Sequence, residues 1–272
     1  MLEPAVVFRL SPRRALRLLS PACLLTILAS SPSIAQAEQP SRWGLGAATV
    51  MSVNPYAGRG MRLIPFPAIT YQSDRFYFFG IRGGAHLYDD GVLSLDAFAA
   101  ARLDGIDAKD FGRSELADNG VDRDDLSNRK DGVDLGLSAS LTRAYGRFTL
   151  EASGDVTGAS DGMEVELGYA YPFKINRRLM IIPSVNLSWM SSNLADYYYG
   201  TMDKEVDRGA PLYRPGDSFV PQVGVELRYG FAERWTFLGM ASYSRYTGDL
   251  ADSPLLESGN AYSLILAVQR TF

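Results

Sequence analysis

The sequence predicts an antiparallel β-barrel that crosses a membrane with about twelve strands, or with ten as the alternative. Three observations lead to it. Apolar and polar residues alternate along most of the chain, and the alternating segments are long. The connections between these segments are of two kinds, some short and tight, others long and polar. The segments approach the roughly 9 to 11 residues that a tilted strand needs to cross a bilayer, whereas strands of soluble sandwiches are nearer to about 5 or 6 residues.

Residues 1–37 have the three parts of a cleaved signal peptide. Arg9 to Arg17 form a basic region, Leu18 to Ala29 are mostly apolar, and Ala35-Gln36-Ala37 fits the small-residue cleavage pattern. The apolar run is shorter than the roughly 20 residues of a membrane-spanning helix. We therefore expect cleavage near Ala37, export, and one barrel domain over residues 38–272.

Alternation is cleanest in three consecutive segments, Val133 to Leu141, Arg147 to Val156 and Met163 to Phe173. Less regular segments are 43–53, 61–72, 76–88, 92–103, 179–189, 219–229, 235–246 and 261–272. The total is odd, but a barrel whose termini lie on the same side needs an even number of strands. We expect residues 76–88 to contain two strands, with a turn at Gly83-Gly84.

The connections also alternate in length. Residues 72–75, 143–146, 174–177 and 232–234 are tight, whereas residues 104–132, 191–218 and 247–260 are long and polar. Outer-membrane barrels combine short periplasmic turns with long outer loops in this way. We therefore expect the chain in the cell outer membrane of a Gram-negative bacterium.

The end of the sequence carries a further signal. Phe272 follows an alternating segment in which Tyr262, Leu264, Leu266 and Val268 occupy every second position. This pattern resembles the C-terminal signature that the outer-membrane assembly machinery reads. We therefore expect Phe272 to act as an assembly signal.

Composition excludes several classes of function. The single Cys, Cys23, lies in the signal peptide, so cysteine chemistry is not expected in the barrel. The formal net charge of −4 and the lack of a Lys/Arg cluster argue against nucleic-acid binding. His86, the single histidine, could act as a general base, but no GxSxG or HExxH motif accompanies it. We expect no enzyme, no cofactor, no catalytic residues and no metal site.

Several short motifs follow one another along the chain. The earliest are Pro65-Phe-Pro67 and Arg75-Phe-Tyr-Phe-Phe-Gly80, and Phe231-Ala-Glu-Arg-Trp235 comes late. The motif residues that we single out are Tyr197, Tyr198, Tyr199, Gly200, Arg214, Pro215, Gly216, Asp252, Ser253 and Pro254. In this order the motifs resemble the MipA/OmpV family of outer-membrane proteins, and the resemblance covers essentially the whole chain after the signal peptide.

This resemblance implies a non-enzymatic scaffold that links the outer membrane to murein (peptidoglycan) synthesis and turnover. The implied partners are a lytic transglycosylase and a penicillin-binding protein. Further expected partners are outer-membrane lipid, lipopolysaccharide and the assembly machinery. The alternative functions are a small-solute porin or channel, and a factor in envelope stress or adhesion.

Charged residues on the polar faces of the strands could line a selective pore. They are Asp96, Asp134, Glu151, Asp155, Glu164, Glu166, Glu226, Arg102 and Arg228. We favour the alternative that these residues pair with one another inside a narrow barrel. For the acidic stretch Asp104 to Asp134, which lacks the spacing of a calcium loop, we expect a solvated outer loop. The Tyr197 to Gly200 motif fits a folded-in loop, a short strand or a recognition surface equally well.

Overall fold

The computed structural model describes residues 43–272, so the predicted signal peptide, residues 1–37, lies outside the described residues. One antiparallel sheet dominates this part of the chain. Its strands are β1 (Trp43–Val53), β2 (Met61–Gln72), β3 (Phe76–Phe79), β4 (Arg82–Asp89), β5 (Leu93–Arg102), β6 (Gly132–Arg143), β7 (Gly146–Asp155), β8 (Met163–Ala170), β9 (Phe173–Lys174), β10 (Leu179–Met190), β11 (Ser218–Ala232), β12 (Trp235–Arg245) and β13 (Asn260–Thr271).

The sheet closes on itself. Apart from β8 and β9, each strand pairs with the next along the chain, and β13 returns to pair with β1 from Gly44↔Thr271 to Val53↔Tyr262. Strands β8 and β9 both pair with β10, so they are two parts of one crossing, interrupted at Tyr171-Pro172. Pro172 carries no backbone N–H for the ladder, which explains an interruption at this point. The barrel therefore has twelve crossings, as the sequence predicts.

Side chains separate by parity along the strands. In β6, Leu135 and Leu137 are 53% and 62% exposed, whereas Asp134 and Ser138 are 5% and 6% exposed. The same reversal, apolar outside and polar inside, recurs on β7, β8 and β11. Such an apolar outer surface suits lipid rather than water. No helix among residues 43–272 is long and apolar enough to span a membrane.

The expected break within residues 76–88 exists, but its predicted position was wrong. The turn lies at Gly80-Ile81, where Gly80 has φ 61° and donates its N–H to the Ile69 carbonyl. Gly83 and Gly84 are inside β4 instead. A Cβ on Gly84 would lie 2.5 Å from the Tyr77 ring, so this glycine makes room for a neighbouring aromatic side chain rather than forming a turn.

The long connections fold together at one end of the barrel. We call residues 54–60, 103–131, 191–217 and 246–259 the cap. It contains helices α1 (Arg113–Asp118), α2 (Ser192–Tyr199) and α3 (Asp203–Val206), and short 3-10 turns at Ala108–Asp110, Arg123–Asp125 and Gly248–Leu250. At the opposite end, short turns join the strands, and Trp43 and Phe272 lie there too.

The cap has a hydrophobic core of its own. Every one of its segments contributes buried residues, which include Tyr56, Phe111, Leu116, Leu194, Tyr198, Tyr199, Leu250 and Leu255. The expectation of a solvated loop over Asp104 to Asp134 was therefore wrong. Its acidic residues are interspersed with Phe111, Leu116, Val121 and Leu126, and burial of these four side chains fixes the loop.

Candidate functional site

One wall of the barrel interior carries stacked ion pairs. Near the cap, Arg102 of β5 contacts three carboxylates: its Nε lies 2.8 Å from Asp134 Oδ2, its Nη2 2.8 Å from Glu164 Oε2 and its Nη1 3.2 Å from Asp104 Oδ2. Arg102, Asp134 and Glu164 come from β5, β6 and β8, with β7 between the last two, and Asp104 comes from the start of a cap loop. One guanidinium therefore joins groups spread over four strands.

A second pair lies lower on the same wall. Arg82 of β4 donates two hydrogen bonds of 2.8 Å each to the Glu151 carboxylate, and its guanidinium stacks 3.6 Å from the centre of the Phe98 ring. Arg82 and Glu151 belong to β4 and β7, with β5 and β6 between them in the sheet. Two parallel hydrogen bonds between a guanidinium and a carboxylate fix the orientation of both side chains.

His86 lies below the Arg82–Glu151 pair on the same wall and forms the third contact of this stack. Its Nδ1 is 2.6 Å from Asp96 Oδ1 and its Nε2 is 3.0 Å from the Gln72 side-chain amide. Both ring nitrogens are occupied by these neighbours, and no serine hydroxyl contacts the ring among the described residues. The geometry offers no nucleophile for this histidine to activate.

The remaining candidates divide into two groups. Glu166 and Glu226 are buried in the interior, where Glu166 accepts a hydrogen bond from Ser188 and Glu226 contacts Arg228. Asp155 has a different position at the end of β7. Its carboxylate accepts backbone N–H groups of Thr157, Ser160 and Asp161 and so closes the β7–β8 turn.

The opposite wall of the interior is apolar, which the sequence analysis missed. Two rows of inward residues are in register across β12, β13, β1 and β2. We call these rows the apolar wall. They are Met240, Ile265, Val50 and Ile64, and below them Leu238, Ala267, Ala48 and Phe66. Val50, Met240, Ile265, Phe66 and Leu238 pack as one cluster.

The family-like motifs lie in the cap. Tyr197, Tyr198 and Tyr199 end α2, so the motif is a folded-in helix. Tyr198 and Tyr199 are almost fully buried, and Tyr199 stacks on Tyr56. Gly200 follows the helix and its carbonyl accepts a hydrogen bond from Arg129.

The later motif residues hold this helix in place. Ser253 Oγ donates to the Tyr199 carbonyl, and Gly216 N–H donates to Asp196 in α2. The Pro254 carbonyl accepts a hydrogen bond from Asn119, while Arg214 pairs with exposed Asp203. Pro215 lies in the same segment, and Asp252 is exposed.

The end opposite the cap carries exposed cations on consecutive hairpins. Arg143 ends β6 at its turn to β7, Arg177 and Arg178 lie in the turn from β9 to β10, and Arg234 lies in the turn from β11 to β12. These four residues make no ion pair within residues 43–272. We call these four residues the basic arc. Among the described residues, no group of three His, Cys, Asp or Glu side chains could hold a metal ion.

Known proteins resemble this chain over nearly all of the barrel. The family described as "MltA-interacting protein MipA" matches residues 44–272. The chain belongs to this family. It is 30% identical to the MltA-interacting protein of Escherichia coli over 234 residues, which cover 85% of this chain and 90% of that one. It is 25% identical to the putative outer membrane protein YiaT of Escherichia coli over 237 residues, 85% of this chain and 92% of that one.

Among solved structures, this MipA-family chain is similar to the NanC porin, with a TM-score of 0.47 and 8% identity over 84% of this chain and all of that one. Family membership and the lipid-facing outer surface together make the protein an outer-membrane β-barrel. In barrels of this location the short turns face the periplasm. The basic arc is therefore periplasmic, and the cap faces outwards.

Proposed function

We propose that this protein is a non-enzymatic scaffold whose periplasmic rim binds murein enzymes. The basic arc is the observation that carries the proposal, together with the printed name of the relative that interacts with MltA. The first partner is then a lytic transglycosylase, and a penicillin-binding protein is the second. Outer-membrane lipid and lipopolysaccharide would surround the barrel, and the assembly machinery would read the end of β13 at Phe272.

The position of the unpaired cations supports this proposal. Arg143, Arg177, Arg178 and Arg234 are exposed, and their turns belong to adjoining hairpins of the closed sheet. Each turn closes a hairpin, which fixes the spacing of the backbone positions that carry the cations. Cations spaced along one arc attract an acidic protein surface and accelerate association in a salt-dependent way.

The charged residues inside the barrel give little support to a catalytic function or to a wide channel. The charged residues of the lumen are mostly engaged with one another, as in the Arg82–Glu151 pair. Removing such charges from water is favourable only when they remain paired. They therefore act as structural struts rather than as free acids, bases or ion ligands.

A pull-down from solubilised envelopes tests the scaffold. The rim variant changes Arg143, Arg177, Arg178 and Arg234 to Ser. A matched control removes four cations from the outward face instead, by changing the exposed residues Lys109, Lys130, Lys204 and Arg245 to Ser. We expect wild type and control to recover a lytic transglycosylase, and the rim variant to recover about 10-fold less. Equal recovery by all three would exclude the rim as the contact.

A small-solute channel is the second candidate, favoured by the polar wall of the interior. Planar-bilayer recording distinguishes the two. The scaffold predicts little conductance for the wild type and an increase in the Arg82→Ser variant, because the Arg82–Glu151 strut is lost. Large, ion-selective currents in the wild type, with no enzyme recovered in the pull-down, would support the channel instead.

A further inference from the structure

One strand of the barrel wall lacks a neighbour over most of its length. Strand β3 reaches only from Gln72 to Thr70 of β2 before the chain turns at Gly80, which bonds the Ile69 carbonyl. Within residues 43–272, Met61 to Ala68 therefore pair with β1 on one side and with no strand on the other. We call this unpaired side of β2 the free edge.

Prolines make this edge tolerable in a membrane. Backbone groups of alternate residues point to the same side of a strand. Because Ile69 points its carbonyl towards β3, Leu63, Pro65 and Pro67 face the free edge as well. The two prolines have no N–H, so they remove two donors that would otherwise be unsatisfied in lipid. The ladder to β1 uses the other residues and stays intact.

The free edge borders a lateral gap in the wall. The Gly80-Ile81 turn lies below the gap, and β5, whose Ala101 N–H bonds the Ile81 carbonyl, lies beyond the turn. The cap passes above, since Asp110 lies 4.0 Å from Arg62 and Gly112 N–H bonds the Ala57 carbonyl. Between the cap and the turn, the described residues place no strand against β2, and this is the position of the lateral gap.

The apolar wall runs directly to this gap. Its two rows end on β2 at Ile64 and Phe66, which are the inward residues of the unpaired segment. Across four strands the rows span about 14 Å. An alkyl chain lying along them would bury its surface against side chains rather than water.

Two arginines with incomplete hydrogen bonding stand at the outer end of the gap. Arg62 is the inward residue one step above Ile64, and Arg59 is 7% exposed in the adjoining loop. Arg59 Nε and Nη1 and Arg62 Nη1 are buried without a hydrogen-bond partner among the described residues. Burial, followed by the nearby charge of Arg62, lowers the pKa of Arg59.

The nearest acids do not satisfy these arginines. Asp110 is at the limit of ion pairing with Arg62. Asp104 contacts Arg102 through Oδ2, and its Oδ1, which also lacks a partner among the described residues, makes no hydrogen bond to either arginine. The Tyr56 ring, 5.7 Å from the Arg59 guanidinium, offers only its face. A buried guanidinium that lacks acceptors is costly, and an anionic oxygen is the group that it binds best.

We propose that the apolar wall and the Arg59–Arg62 pair form a binding site for a long-chain carboxylate, reached from the membrane through the lateral gap. The alkyl chain lies along the lower row, against Phe66, Leu238 and Ala267, which are partly exposed, whereas Val50, Ile64 and Ile265 are already buried. The carboxylate accepts hydrogen bonds from the two guanidinium groups. This site lies on the wall opposite the ion-pair stack and is independent of the periplasmic rim.

Binding of dodecanoate to the protein in lipid nanodiscs, with empty nanodiscs as the blank, tests the site. We expect dodecanoate to bind at least about 10-fold more tightly than dodecanol, because the alcohol cannot pair with both arginines. Arg59→Gln and Arg62→Gln should each remove that preference and leave dodecanol binding unchanged. Arg147→Gln, which changes an inward arginine on β7 far from the gap, should change neither affinity.

A dodecanoate probe with a photoreactive diazirine at the chain end gives the location. We expect crosslinks on peptides that contain Phe66, Leu238 or Ala267, suppressed by excess dodecanoate. Equal affinity for acid and alcohol in the wild type overturns the proposal, and this comparison needs no variant to fold. Crosslinks confined to lipid-facing residues such as Leu63 and Leu137 also overturn it.

Discussion

Arg129 and Glu205 form an ion pair whose two side chains are completely buried inside the cap. Arg129 Nη2 lies 2.8 Å from Glu205 Oε2, and the same guanidinium bonds the Gly200 carbonyl at 2.8 Å. Glu205 also accepts N–H groups from Ser127 and Met202. This one pair therefore joins two cap loops whose residues lie 76 positions apart in the sequence.

Glu205→Gln should destabilise the cap and leave the barrel folded. Removing one charge of a buried pair leaves the other without compensation, at a cost of about 3 to 5 kcal/mol. Faster tryptic cleavage within residues 103–131 measures the change. Asp124→Asn is the control, because its ion pair with Arg113 is exposed and contributes little to stability, and because the change leaves every tryptic site in place. Equal protection in both variants would show that the pair does not fix the cap.

Leu137→Arg should impair folding into bilayers far more than Leu212→Arg. The two leucines are 62% and 65% exposed, but Leu137 faces lipid from β6 and Leu212 lies in the cap. Arginine in the middle of the lipid face of a barrel costs about 2 to 4 kcal/mol. Folded fractions from gel mobility with and without boiling report the difference. If the two variants fold equally well, β6 does not face lipid at this level.

The cap should become less stable as the pH rises from about 4 to about 7. Burial raises the pKa of Asp104 to about 6, against the lowering effect of Arg102. The folded cap therefore holds this proton more tightly than the unfolded chain does. The resulting stability is fully present below about pH 4 and is lost as the pH passes through about 6.

Asp104→Asn should flatten this pH dependence, because the amide resembles the neutral acid at every pH. Protease protection of the cap, followed from pH 4 to pH 8, is the measurement. Asp252→Asn changes an exposed carboxylate in the same cap and should retain the wild-type profile. An unchanged profile in Asp104→Asn would assign the pH dependence to other groups.

Gly58→Ala should separate two cap loops. Gly58 has φ 70°, and a Cβ there would lie 2.4 Å from Gly112 Cα in the neighbouring loop. Gly60→Ala, in the same loop, meets nothing within 4 Å and isolates the cost of its own φ of 45°. That cost is roughly 1 to 2 kcal/mol. We expect cap proteolysis to accelerate clearly more in Gly58→Ala, and equal acceleration would mean that the loops do not rely on this close approach.

Much of the barrel follows from local sequence. Residues such as Leu135 and Leu137 alternate with Asp134 and Ser138 because each strand has one lipid face and one inner face, and a pattern of period 2 records this directly. The parity of the strand count then required an extra turn near residues 76–88. Its position at Gly80 was missed because Gly83 and Gly84, which serve packing, gave the stronger turn signal.

The cap and the lateral gap depend on contacts that no local pattern records. Tyr56 donates its hydroxyl to the Tyr198 carbonyl, a partner 142 residues away. No sequence motif or regular spacing indicates that Arg129 pairs with Glu205 either. The apolar wall needs the register of four strands, including the pairing of β13 with β1. Only Pro65 and Pro67, unusual within a strand, offered a local hint of the free edge.

The composition of the cap also constrains the order of assembly. Its core takes residues from segments as far apart in the sequence as Tyr56 and Leu255. In the folded barrel these segments are adjacent because β13 pairs with β1, and that pairing brings the first and last outer loops together. Without it, the apolar side chains of the core lack part of their packing partners. We therefore expect a cap that resists protease to form only once the last strand has been inserted, so that protection of the cap reports this step from the cell surface.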